Sequence, residues 1–292
     1  EEMKKLLTIC CLLFSALSLY AGTGPPSSRN YGATSKDLIE QSGVKGGLVV
    51  CIGAENPEFV AGLRAGEKYL VHCLDVDQKN VDAARKYIQG KGLYGKVSVD
   101  TFDGEHLPYA DNLVNLLVCE EALGIGHEAL GVPGEEIERV LAPRGVLLVP
   151  SDSELQVSGL SPQPSGNWLK LSKPVPPSID DWTHFLHGPD NNAVAQDTVI
   201  NLPRSLQWIN GQRWQRSHEE LASVSATVSA NGRLFYIVDK SPGAYLKFMP
   251  RWTLVAFDAF NGIRLWERDI SVWNDHMRHF RTGPAGLGSV AI

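Results

Sequence analysis

The chain has 292 residues, of which 43% are hydrophobic and 21% are charged, and its formal net charge is −6. These are the proportions of a folded globular protein, and they exclude extensive disorder, collagen and a multi-pass membrane protein. The chain carries no basic stripe of the kind that binds nucleic acid, so no nucleic-acid partner is expected. At ~100–200 residues per domain, the length predicts two domains.

The first predicted element is a signal peptide. Lys4 and Lys5 precede a mainly apolar run, Leu6–Leu19, and small residues follow from Ala21. This order is typical of a secretory signal, and the run is shorter than the ~20 residues of a membrane span. We expect residues 1–21 to be removed and the mature chain to be exported to the periplasm or cell envelope, without a transmembrane span. A buried N-terminal helix is the alternative.

Between residues 35 and 150, short apolar runs alternate with helical patterns. The clearest helix is 77–90, in which Val81, Ala84 and Ile88 share one face. Near-continuous apolar strands separated by helices predict a parallel sheet covered on both faces, with ligands beyond the carboxyl ends of its strands. The predicted strands are 47–52, 69–74, 96–100, 113–119 and 145–149, and the predicted helices are 55–66, 77–90 and 135–141.

Three cysteines follow the signal: Cys51, Cys73 and Cys119. Their number is odd, their spacing is wide, and each lies in or at the end of an apolar run. This is not a disulfide framework. We interpret all three as small buried apolar side chains.

A stretch rich in proline, glycine and serine divides the chain. It runs through Ser158–Asn167 and Lys173–Pro177, and this composition predicts a linker, which we place at residues 151–178. All seven tryptophans follow residue 150, whereas the three cysteines precede it. The contrast predicts two domains with different cores.

From residue 179 to 292 the pattern changes to short β runs. Leu234–Val238 and Trp252–Phe257 predict strands, Asp258–Gly262 predicts a tight turn, and Ile263–Trp266 resumes a strand. Antiparallel β structure with regular turns fits a sandwich, a barrel or a propeller.

The first half resembles the class I S-adenosylmethionine-dependent methyltransferases at five places in chain order. These are Val49–Glu55 at the first-strand glycine motif, His72–Asp77 at the second strand, Asp103–Pro108 at the acidic turn, Val114–Val118 at the fourth strand, and Arg139–Gly145 before the fifth strand. The resemblance implies a Rossmann-like α/β fold over residues 35–150. It also implies S-adenosylmethionine as cofactor.

The same resemblance implies the residues that hold the cofactor. Gly53 lets the backbone approach a ligand closely, and Asp75 accepts hydrogen bonds from the ribose hydroxyls. Asp103, in the turn with Gly104, accepts one from the adenine amine. Methyl transfer from a sulfonium needs mainly alignment of donor and acceptor, so no catalytic residue is assigned.

Several positions depart from the family pattern. Ala54 and Asn56 stand where the family has further glycines, and Asn115 replaces the usual aspartate of the fourth strand. These departures leave open an alternative function, a non-catalytic exported scaffold or binding protein with a degenerate methyltransferase fold.

The second half resembles the repeats of pyrroloquinoline-quinone-type β-propellers. Leu254–Trp266 contains the Asp-Ala pair, the glycine turn and the Leu-Trp pair that close each blade in that family. The resemblance implies an incomplete propeller over residues 179–292, because 114 residues provide no more than two or three blades of ~40–50 residues. We therefore expect a fragment of a longer protein, or closure by association.

The order of the two halves resembles an exported, planctomycete-type bacterial family, with the junction signature at Asp180–Asn192. We interpret the chain as a methyltransferase-like protein of unknown acceptor, whose propeller binds protein partners or substrate. Pyrroloquinoline quinone is not expected as a cofactor, and a quinone-dependent oxidoreductase is a distant alternative. The histidine pairs 184/187 and 276/279 have no clear third ligand, so no metal site is predicted.

Overall fold

The computed structural model describes residues 34–119, 132–151, 157–199, 202, 206–211, 224–241 and 251–270. The predicted signal peptide lies outside these ranges, as do His276 and His279. Within them the chain forms a seven-stranded sheet with flanking helices and a separate four-stranded sheet. No helix of the described ranges is both long and apolar enough to cross a membrane.

In the part of the chain that the structure describes, the first unit contains four helices and seven strands. The helices are α1 (Ser35–Ser42), α2 (Pro57–Gly62), α3 (Gln78–Gly90) and α4 (Gly134–Val140). The strands are β1 (Gly47–Ile52), β2 (Tyr69–Asp75), β3 (Val97–Thr101), β4 (Val114–Cys119), β5 (Leu141–Pro150), β6 (Ser161–Ser165) and β7 (Trp168–Ser172).

The strand order of the larger sheet is β3-β2-β1-β4-β5-β7-β6. Strands β1 to β5 run parallel, β7 is antiparallel to β5, and β6 is antiparallel to β7. Apolar side chains fill both faces of the sheet, and α3 contributes Val81, Ala84 and Ile88 to one of them. The predicted parallel sheet with helical cover is thus confirmed. All three cysteines are buried thiols, as expected.

The predicted linker at residues 151–178 is wrong, because β6 and β7 lie inside it and complete the sheet. Trp168 and Leu171 of β7 are buried in the two apolar layers. Pro162 and Pro164 are two residues apart on the edge strand β6, where missing N–H groups can face away from the sheet. The α/β unit therefore extends beyond residue 150, to Ser172.

The four-stranded sheet consists of β8 (Val224–Ala230), β9 (Arg233–Asp239), β10 (Trp252–Asp258) and β11 (Arg264–Asp269). Its order, β11-β10-β9-β8, follows the chain, and every neighbouring pair is antiparallel. This confirms the predicted antiparallel structure. A four-stranded sheet of this kind is the blade unit of propellers, and the propeller itself stays a prediction.

The two sheets meet at the amino-terminal edge of the parallel strands. The Asn115 side-chain amide of β4 donates to Asp258 Oδ2 (2.7 Å). The Asn261 amide donates to Asn115 Oδ1 (2.6 Å) and to the Leu113 carbonyl (3.0 Å). Asn115 therefore joins the α/β unit to the turn between β10 and β11.

Candidate functional site at the carboxyl edge of the sheet

The four predicted cofactor residues follow, or end, three neighbouring parallel strands. Gly53 follows β1, Asp75 ends β2, and Asp103 and Gly104 lie in the turn after β3. Strand β1 lies between β2 and β4, so the chain order reverses beside Gly53. Ligands of open α/β sheets bind at such a switch point, beyond the carboxyl ends of the strands. The segment after β4, which begins at Glu120, lies outside the described residues.

Gly53 forms a tight turn at the end of β1. Its φ is +103°, a conformation that favours glycine. Its N–H donates to the Leu74 carbonyl at 2.8 Å. Its own carbonyl accepts from the Cys73 thiol at 3.0 Å and from the Cys51 thiol at 3.6 Å. The two cysteines are therefore more than apolar filling, because their thiols hold this turn.

Asp75 is a buried carboxylate, with 3% of its surface exposed. Oδ2 accepts from the Ala54 N–H (2.7 Å) and from the Asn80 side-chain amide (3.2 Å), and Oδ1 accepts from the Asp77 N–H (2.7 Å). Asp75 thereby fixes the loop after β1 to the start of α3. Each carboxylate oxygen has two lone pairs, so Oδ1 retains one acceptor position for a ligand.

Asp103 and Gly104 form an exposed turn. Asp103 Oδ1 accepts from the N–H groups of His106 (2.7 Å) and Glu105 (2.9 Å), and Oδ2 pairs with His106 Nδ1 (2.9 Å). These hydrogen bonds lower the pKa of Asp103 to about 2. The same carboxylate raises the pKa of His106. Gly104 has a φ of +89°, and a Cβ there would lie 3.3 Å from Val76 Cγ1.

Two contributors to this edge were missed from the sequence. Val76 is 63% exposed although it is apolar, and it lies between Asp75 and the Gly104 turn. Asn80, in the first turn of α3, holds Asp75 from the side. In the sequence, Val76 is an apolar residue between two aspartates, Asp75 and Asp77. This pattern could have identified it as part of the site. Nothing in the sequence pattern pointed to Asn80.

No group of three or more histidine, cysteine, aspartate or glutamate side chains suited to a metal occurs in the described ranges. His187 Nε2 pairs with Asp180 Oδ2 at 2.6 Å, and His184 Nδ1 pairs with Thr183 Oγ1 at 2.9 Å. Both histidines therefore have hydrogen-bonding partners from within the protein.

Comparison with known families identifies the fold of the first unit. Residues 50–149 match the family model described as a methyltransferase domain. These residues have a Rossmann-like methyltransferase fold. The match spans β1 to β5 together with Gly53, Asp75, Asp103 and Gly104, and it ends before the four-stranded sheet begins.

One curated relative is also a methyltransferase. The chain is 30% identical over 118 residues to the demethylmenaquinone methyltransferase of Lactobacillus johnsonii, over 38% of this chain. The chain spans only 46% of the length of that curated relative.

Two solved structures are similar in part. One is a protein from Methanococcus maripaludis assigned as an S-adenosylmethionine-dependent methyltransferase (16% identity, TM-score 0.41, 50% of this chain and 85% of that chain). The other is a SAM-dependent methyltransferase from Aquifex aeolicus (18% identity, TM-score 0.39, 51% and 93%). The strand order and the family match establish the fold, and these two similarities are not needed for it.

Proposed function

We propose that this chain binds S-adenosylmethionine at the carboxyl edge of the parallel sheet and transfers its methyl group to an acceptor that is not yet identified. One observation carries the proposal. Gly53, Asp75 and the Asp103-Gly104 turn lie at the carboxyl ends of three neighbouring strands, inside the segment that matches the methyltransferase family.

The side chains at this edge suit the parts of that cofactor. The Gly53 turn lets a ligand approach the backbone. Asp75 Oδ1 offers an acceptor for a ribose hydroxyl, and the exposed Val76 offers apolar surface for a planar base. Asp103 stays ionised because its pKa is about 2. When bound, the sulfonium supplies the reactive methyl group, and the protein has mainly to align it with the acceptor.

A second candidate function is a non-catalytic scaffold that retains the fold. It is favoured by the internal hydrogen bonds of both carboxylates. Asp75 accepts from two backbone N–H groups and from the Asn80 side-chain amide, and Asp103 accepts from two backbone N–H groups. In this case the two aspartates serve the loops alone, and the chain has no affinity for the methyl donor.

Isothermal titration of the full chain with S-adenosylmethionine separates the two candidates. The methyltransferase proposal predicts saturable binding with a Kd below ~1 mM, weakened about tenfold by Asp103→Asn, because a charge-assisted hydrogen bond is lost. Asp82→Asn is the matched control, since Asp82 is an exposed carboxylate on α3 that bonds only Gln78 in the described structure. Absence of saturable binding at millimolar ligand contradicts the proposal and supports the scaffold.

A further inference from the structure

A second cleft lies at the amino-terminal edge of the parallel sheet, opposite the edge that carries Gly53 and Asp75. Its volume is about 630 Å³, within the usual range of small-molecule sites. Its walls come from the loop between α1 and β1, from the bend in β5, from β7, and from the two turns of the four-stranded sheet. Both units of the protein therefore contribute to it.

The charges that line this cleft are mainly positive. One carboxylate, Asp258, faces five basic side chains: Lys45, Arg144, Lys170, Lys173 and Arg233. Four of the five come from the α/β unit and Arg233 comes from β9. Elsewhere the molecule has an acidic balance, with a net charge of −6, so the cleft concentrates positive charge against the overall trend.

One of these cations already has its partners. The Lys173 ammonium donates to Asn112 Oδ1 (2.8 Å) and to the carbonyls of Glu138 (2.6 Å) and Leu141 (2.9 Å). All three of its N–H donors are therefore used. Lys173 holds the cleft wall together and adds positive charge to it.

The other four cations differ from Lys173. Within the described ranges, none of them forms an ion pair or a side-chain hydrogen bond: Lys45, Arg144, Lys170 and Arg233. The Lys170 ammonium lies beside Gly43, the C-terminal cap of α1. Strong donors that line one cleft without protein acceptors are suited to an anionic ligand.

Asp258 attracts Arg233 electrostatically without forming an ion pair with it, and one carboxylate neutralises only part of the charge of five cations. Asp258 is 6% exposed, and its carboxylate accepts from Asn115 (2.7 Å) and from the N–H groups of Phe260 (2.9 Å) and Asn261 (3.1 Å). It is thus engaged in the junction of the two units. Burial also raises its pKa, which disfavours its negative charge.

Arg144 has a backbone conformation that arginine seldom adopts. Its φ is +69°, in the left-handed region where a Cβ is strained and glycine is not. The bend is held by the Arg144 N–H donating to the Lys173 carbonyl and by the Lys173 N–H donating to the Gly145 carbonyl, both at 2.9 Å. The Arg144 side chain is exposed at the cleft, so an arginine is kept where glycine would fit more easily.

We propose that this cleft is a binding site for a small ligand carrying two or more phosphate groups. Lysine and arginine are the side chains that bind phosphate oxygens, and arginine does so in a bidentate geometry. Because the site lies at the opposite edge of the sheet from the proposed methyl-donor site, it binds its ligand independently of S-adenosylmethionine. It takes residues from both units, so the ligand also holds the four-stranded sheet against the α/β unit.

The test is calorimetric titration of the full chain with inorganic pyrophosphate at low ionic strength. We expect saturable binding that weakens as salt is added and that persists in excess S-adenosylmethionine. Arg144→Gly and Lys170→Gln should each raise the Kd about tenfold or more. The thermal midpoint of Arg144→Gly should be unchanged or higher, since the substitution relieves the strain at φ +69°.

Lys86→Gln is the matched control, because Lys86 is an exposed lysine on α3, outside the cleft, and it should bind pyrophosphate as the unaltered chain does. The proposal is overturned if no saturable binding occurs, if Arg144→Gly and Lys170→Gln bind as tightly as the unaltered chain, or if Lys86→Gln weakens binding equally. Competition by S-adenosylmethionine would also overturn it. The proposed methyltransferase function fails separately, by absence of binding to S-adenosylmethionine.

Discussion

Asp75 is the residue on which the backbone of the candidate site depends. Its carboxylate holds the loop after β1 through Ala54 and the start of α3 through Asp77 and Asn80. These hydrogen bonds order the loops at this edge of the sheet before any ligand binds. Among the described residues, Asp103 in contrast bonds only within its own exposed turn.

The two aspartates should respond differently to the same substitution. Asp75→Asn places an amide group against backbone N–H donors in a buried position, so we expect the free energy of unfolding to fall by about 1–3 kcal/mol. Asp103→Asn should leave the free energy of unfolding nearly unchanged. Urea denaturation followed by circular dichroism measures both, and equal destabilisation by the two variants would contradict the structural role given to Asp75.

The sequence predicted which edge of the sheet carries the candidate site residues, but it did not predict their contacts. Gly53, Asp75 and Asp103 could be placed at the carboxyl edge of the sheet because each follows or ends an apolar run that is predicted to form a strand. The thiol of Cys73 and the amide of Asn80 could not be assigned, because their partners are brought together by strand pairing and by the packing of α3.

The strand pair β6–β7 accounts for the largest difference between the predicted domain boundary and the boundary in the structure. Its residues were interpreted as a linker because proline, glycine and serine are frequent in it. Trp168, Leu169 and Leu171 carried the opposite signal, but three apolar residues in a run of five are too short a pattern to define a strand. Strand β1, whose six residues are all buried, was predicted with the bounds that the structure has.

Helix α1 was also missed. It begins with a capping box, in which Thr34 Oγ1 accepts from the Asp37 N–H and the Asp37 carboxylate accepts from the Thr34 N–H. Only Leu38 and Ile39 are large apolar residues among its eight, and so short a pattern is weak. Short helices of this kind can be assigned only when the elements that they pack against are known.

The strand pair should contribute substantially to stability. Trp168 is 4% exposed and packs in the apolar layer between the sheet and its helices. Trp168→Ala should lower the free energy of unfolding by about 3–5 kcal/mol. Pro164→Ala, on the exposed edge strand, is the control and should change it by less than about 0.5 kcal/mol. A small effect of Trp168→Ala in urea denaturation would restore the interpretation of this segment as a linker.

The arrangement of the whole molecule depends on a polar junction between the two sheets. Asn115, Asp258 and Asn261 form its hydrogen-bonded centre. The sequence could not predict this junction, because Asn115 and Asp258 are far apart in the chain and neither lies in a pattern that points to the other. This junction explains why Asn115 differs from the aspartate of the methyltransferase pattern, because the Asn115 amide donates a hydrogen bond to the second sheet.

Asp258 should make the stability of the junction depend on pH. Burial raises its pKa above the ordinary value, against the opposing effect of hydrogen bonds from Asn115 and neighbouring N–H groups. Folding therefore favours the protonated form. Its contribution to stability is full below the unfolded pKa of ~3.9 and is lost as the pH rises through the raised folded value.

Comparison with Asp258→Asn isolates this effect, because asparagine does not titrate. The stability of the unaltered chain relative to Asp258→Asn should be greatest near pH 4 and should decline toward pH 7. The change should be about 1.4 kcal/mol for each unit by which the pKa is raised. Chemical denaturation at several pH values measures the difference. A difference that is constant, or that grows toward neutral pH, would contradict the buried position of Asp258.

Hydrogen–deuterium exchange shows where S-adenosylmethionine binds, which we propose to be the carboxyl edge of the parallel sheet. Exchange of the full chain is followed by mass spectrometry with and without S-adenosylmethionine. Slower exchange is predicted in the peptides that contain the loops after β1, β2 and β3, at residues 53–56, 76–77 and 102–107. No change on addition of S-adenosylmethionine, or protection confined to residues 43–46 and 143–145 at the opposite edge, would contradict the claim.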